Sequence, residues 1–139
     1  MMLKYLIKKS VVDFCLIGAN IIFFIYYSLQ LLIFTDEFAL KNIGFFNHAV
    51  AGLSEIIGII FISFAIGLTI IFFRGLKNQL PLFVTIFLIQ IIISLNFWRY
   101  VLTDSVGETD LNTITQNALI FSFSGLSMFI LLIRHRKKL

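Results

Sequence analysis

Long apolar blocks alternate with brief polar punctuation along this chain. Four blocks, at about 11–34, 46–73, 80–102 and 111–133, reach or exceed the roughly 20 residues needed to cross hydrocarbon. Their apolar character is too continuous for barrel strands, and four strands would not close a barrel. Lipid offers no hydrogen bonds to a bare backbone, so each block is expected as a helix. The connections are short, and their residues fit helix ends. Pro81 falls in the first turn of the third helix, where a missing N–H costs little. Asp110 or Asn112 can cap the fourth. Short connections make neighbours of successive helices. The expected fold is all-α: a single integral membrane domain over 1–139, folded as an antiparallel four-transmembrane-helix bundle.

Composition agrees with the pattern. Hydrophobic residues make up 60% of the 139 and charged residues 13%, far too little charge to cover a soluble domain of this size. Lys4, Lys8 and Lys9 precede the first block, but its apolar run is too long for a cleaved signal, and it is expected as a retained helix.

The placement of charge predicts orientation. Lys8 and Lys9 precede the first helix, Arg74 and Lys77 follow the second, and Arg134, Arg136, Lys137 and Lys138 follow the fourth. The other two connections carry Asp36, Glu37, Asp104, Glu108 and Asp110, with Lys41 as their one basic residue. Basic residues thus fall on every other side and serve as topology anchors, which puts both termini in the cytoplasm of a cell with this protein in its inner (plasma) membrane. The basic tail meets anionic lipid, and with no folded basic surface behind it nucleic acid is not an expected partner.

Polar residues inside the blocks are the candidate chemistry. On the second helix the small residues Ala51, Ser54, Gly58 and Ala65 suggest a face that packs closely against another helix. Glu55 lies four residues from Ala51 and three from Gly58, so it is expected to look inward, to the bundle or to a second subunit. Arg99, with Asn96 three residues before it, is the expected partner in an ion pair. The other reading has Arg99 snorkelling to the headgroups beside Trp98 and Tyr100. His48, Tyr27, Gln116 and Asn117 complete a polar intramembrane cluster in the outer half. Asp13, Asn20 and Tyr27 recur every seven residues as a polar seam on the first helix, with Lys9 a simple partner for Asp13. Asn117 and Ser124 recur likewise on the fourth, and Gln90 and Ser94, four apart, form a second polar face on the third. The ordinary role of such amides and hydroxyls is interhelical hydrogen bonding.

No catalytic set stands out. Cys15 has no second cysteine to pair with, and two histidines, His48 and His135, belong to opposite sides of the membrane. No metal, cofactor or nucleophile motif is present.

The stretches "NHAVAG" and "RYVLTDSVG" resemble an uncharacterised family of small four-helix bacterial membrane proteins. Asn47, Ala51, Arg99 and Gly107 match its motifs, while Val50 and Val106 stand where that family carries Arg and Asp. The resemblance implies a fold and no activity. Three functional readings follow. The first is an accessory, assembly or immunity-type protein acting by lateral contact with another membrane protein or with copies of itself. The second is a subunit of an oligomeric channel or transporter with Glu55 in the pathway, and the third a small enzyme on a lipid or quinone.

Overall fold

The computed structural model describes residues 11–104, 107 and 109–135. They form five helices: α1 (Val11–Leu32), α2 (Thr35–Asn42), α3 (His48–Arg74), α4 (Leu80–Leu102) and α5 (Leu111–His135). Among the described residues there is no strand. Four of the five are long and apolar enough to cross a membrane, which makes the chain a small multi-pass membrane protein by length and composition. The expected spans match α1, α3, α4 and α5 closely, shifted by two residues at most at any end.

The short helix α2 replaces what the sequence pattern shows only as a charged connection. Its acidic residues, Asp36 and Glu37, sit in the first turn and Lys41 in the last, each complementing the helix dipole. Thr35 and Ala39 are buried, so one face of α2 rests on the bundle while the charges face away. Elsewhere the ends follow ordinary capping. Asn47 Oδ1 accepts the Val50 N–H at 2.8 Å to start α3. Gly75, at φ +110°, closes α3 in a conformation that side chains with a Cβ avoid. Asp110 Oδ2 accepts the Thr113 N–H at 3.3 Å at the head of α5.

Packing runs in the order α3, α1, α5, α4. α1 lies against α3, α5 lies against α4, and the contact between α1 and α5 joins the two pairs. Aromatic rings bind the centre: Phe121 of α5 meets Phe23 at 4.9 Å, Tyr27 at 5.0 Å and Phe97 of α4 at 5.7 Å between ring centroids. Edge contacts of this kind add somewhat to the dispersion energy of burial. At Gly58 a Cβ would stand 2.7 Å from Leu32 Cγ and 3.1 Å from Leu31 Cβ, so glycine sets the approach of α3 to α1. α3 and α4 are only lightly engaged, approaching where Leu82 comes up to Gly67.

Candidate functional site

Three polar groups inside the bundle are hydrogen bonded among themselves. The deepest joins α1, α4 and α5. Asn20 and Gln90 are completely buried, and Gln90 Nε2 donates to Asn20 Oδ1 at 2.8 Å and to Ser124 Oγ at 2.5 Å. Asn20 Nδ2 in turn donates to Ser127 Oγ at 2.6 Å and to the Leu16 carbonyl at 2.9 Å. Only Gln90 Oε1 lacks a donor among the described residues. Close approach of α5 makes this possible: Gly125 lies against Gln90 and the Ile91 backbone, with an added Cβ at ordinary contact distance. The second group ties α4 to α5. Ser94 and Ser122 share a hydrogen bond of 2.6 Å, and the Trp98 indole donates to Ser122 Oγ at 3.0 Å. Trp98 therefore turns its N–H into the bundle.

The third group lies at the end carrying α2. Tyr27 O–H donates to Asn117 Oδ1 at 2.6 Å, and Asn117 Nδ2 donates to Asn42 Oδ1 at 2.7 Å. Asn42 Nδ2 donates to the Phe38 carbonyl at 2.9 Å, while Thr109 Oγ1 donates to the Asn42 carbonyl at 3.0 Å. Asn42 is the member that sequence reasoning missed. Nothing local marks it, because it ends a helix that the apolar pattern does not reveal. Ser127, by contrast, sits three residues from Ser124 on one helical face and was within reach of a spacing argument.

The opposite end carries an ion pair. Asp13, only 3% exposed, accepts from Arg134 Nε at 2.8 Å. His135 Nε2 stands 2.9 Å from the other carboxylate oxygen, off the line that a hydrogen bond needs. Arg134, expected as a topology anchor, is thus also the partner of Asp13. Lys9, the expected partner, lies outside the described residues, as do the anchors Lys8, Arg136, Lys137 and Lys138. Arg74 and Lys77 are exposed.

Glu55 departs from its expectation. It is exposed, and among the described residues it makes no hydrogen bond or ion pair. The reason is rotational. The buried seam of α3 runs Ser54, Gly58, Phe61, Ala65, Leu68, and Glu55 is one residue, about 100°, off it. Ala51 marks the edge of the buried face rather than its centre and is itself half-buried. Arg99 is not within reach either. Ile57 and Gly67 face α4, and Glu55 is about 160° and 120° around the helix from them. Arg99 is exposed, with its guanidinium carbon 4.7 Å from the centre of the Tyr100 ring, an arrangement closer to the snorkelling reading. His48 and Asn96 are exposed as well, and Gln116 lines a small recess beside Asn117. Of the expected outer cluster, Tyr27 and Asn117 come together, whereas His48, Glu55, Asn96 and Arg99 stand apart on the outer surface.

This arrangement contains donors and acceptors that hold helices together, and in Glu55 a carboxylate within a span that meets no partner among the described residues. Among the described residues no three His, Cys, Asp or Glu side chains converge. Compared with family models, with curated proteins and with solved structures, the chain matches none of them.

Proposed function

We propose that this chain works by lateral contact with another membrane protein, and that the Glu55 face of α3 is the contact. The supporting observation is the isolation of Glu55. It lies seven residues into α3, about 10 Å along the axis, in the most apolar helix of the chain. An acidic side chain at that depth costs about 3 kcal/mol on insertion scales unless protein or water meets it. Among the described residues no helix meets it. A helix bearing Arg, Lys or an amide would, and Gly52, one turn away with open space before it, leaves room for close approach.

The topology belongs to the same proposal: helices alternating in direction, both termini cytoplasmic, in the inner membrane of a bacterium. Support comes from contacts that pair the start of one helix with the end of another. Asp13 near the start of α1 meets Arg134 near the end of α5, and Tyr27 late in α1 meets Asn117 early in α5. Phe14 meets Phe72 likewise, with ring centroids 4.5 Å apart. Arg74 and Lys77 then share a side with Arg134.

Purification from native membranes tests the reading. The wild-type chain should copurify a second membrane chain, or a second copy, in a fixed ratio, and Glu55→Leu should lose it without loss of folded protein. A strictly solitary wild-type chain would refute it. A second reading uses the same carboxylate: copies ringed with α3 inward would put Glu55 along a pore. That reading predicts ion or proton flux in liposomes that Glu55→Gln abolishes.

A further inference from the structure

A cavity of about 260 Å³ lies between α3 and α4 at the end carrying α2. Leu31, Ile57, Phe61, Ile93 and Phe121 give it carbon walls. Polar atoms come from one group, the hydrogen-bonded chain Tyr27–Asn117–Asn42. The same three residues also line a recess of about 60 Å³, whose other walls include Gln30, Lys41 and Gln116. A carbon-lined space and a polar one thus adjoin at two amides and a phenol that line both.

The amides between them each keep an unused hydrogen, and the one charged side chain beside them among the described residues, Lys41, is a cation. Asn117 Oδ1 receives the Tyr27 hydroxyl, and Asn42 Oδ1 receives Asn117. Each amide nitrogen donates once, to Asn42 Oδ1 and to the Phe38 carbonyl, and an amide carries two hydrogens. Two N–H groups therefore remain. Lys41 is exposed and, among the described residues, unpaired, and it adds three ammonium hydrogens at the same recess.

We propose that these two spaces bind an amphiphile with a single hydrocarbon chain and an oxyanion head. The hydrocarbon lies between Ile57 and Ile93. The head, a carboxylate or a phosphate, takes its hydrogen bonds from Asn42, Asn117 and Lys41. Ile57 is nine residues into α3, about 14 Å along the axis, which is hydrocarbon depth if α3 crosses the bilayer. Away from Tyr27, Asn42 and Asn117 the walls offer water no hydrogen-bond partner, which favours hydrocarbon there. A volume below that of drug-sized pockets suits one chain rather than a fused ring system. The proposal rests on α3 spanning the membrane and not on its partner, so loss of the Glu55 contact leaves it standing.

Photolabelling of the full chain in zwitterionic nanodiscs tests it, with a diazirine stearate as probe and a diazirine octadecanol beside it. Adducts should concentrate on cavity residues, and Ile93→Trp should cut the labelling several-fold while Ile92→Trp, on the exposed side, leaves it unchanged. Ile57→Phe fills the space from the other wall and gives the same readout if Ile93→Trp fails to fold. Lys41→Gln should weaken stearate labelling and spare octadecanol. Competition by unlabelled stearate alone assigns a carboxylate head, and stronger competition by a lysophospholipid assigns a phosphate. Adducts spread evenly over exposed positions, or labelling that survives both filling variants in folded protein, would overturn the chain site. Equal labelling by acid and alcohol, indifferent to Lys41→Gln, would overturn the oxyanion head.

Discussion

Asn20 and Glu55 are both polar residues in the middle of apolar helices, and the molecule treats them oppositely. Around Asn20 three helices converge and every donor it has is used. Around Glu55 none converges among the described residues, although the same helix is buried one residue away at Ser54. The contrast teaches that polar character inside a span is not one signal. Groups that meet partners among the described residues are folded into the seam, and Glu55, which meets none there, stays on the surface.

Two glycines of α3 give the sharpest way to break that comparison. Gly58→Leu should destabilise the bundle most, because Leu31 and Leu32 already occupy the space; overpacking of this kind costs about 1–3 kcal/mol, read by unfolding in mixed micelles. Gly52→Leu meets nothing within 4 Å and should leave stability unchanged while blocking partner capture. If Gly58→Leu were harmless, the close packing of α1 on α3 would be wrong.

Asn20→Leu should come next. It removes one of the two bonds of Gln90 Nε2 and the bond donated to Ser127 Oγ while filling similar volume, a loss of about 1–2 kcal/mol by the scale of interhelical hydrogen bonds in membranes. Asp13→Asn should cost less, about 1 kcal/mol, since Arg134 is 40% exposed and can turn to solvent. Its effect should shrink at high salt, whereas that of Asn20→Leu should not. Glu55→Gln should have the smallest effect on stability, none beyond error in the same unfolding assay.

The spans were legible because hydrocarbon demands long unbroken apolar runs, and nothing else in a chain this short produces four of them. The seam of Asp13, Asn20 and Tyr27 was legible for a similar reason: a seven-residue recurrence keeps residues on one face, and all three are buried. The direction of Glu55 was not. Small residues lie all around α3, with Ala51, Gly52, Ser54, Gly58, Ser63 and Gly67 pointing to several sides, so a stripe of them cannot orient the helix. Choosing Ala51 rather than Ser54 as its centre turns the carboxylate inward. Asn42 and the pairing of Asp13 with Arg134 were hidden differently. Both depend on contacts between residues far apart in the chain, for which spacing carries no information.

Crosslinking from α3 itself tests the central claim most directly. A photoreactive residue at Ile59, one turn from Glu55 on the same exposed face, would be activated in native membranes beside a control at Ile92 on α4. The account predicts a discrete protein adduct from position 59, absent from position 92 and lost when Glu55 is changed to Leu. Lipid adducts alone from both positions, or a protein adduct indifferent to Glu55, would contradict it.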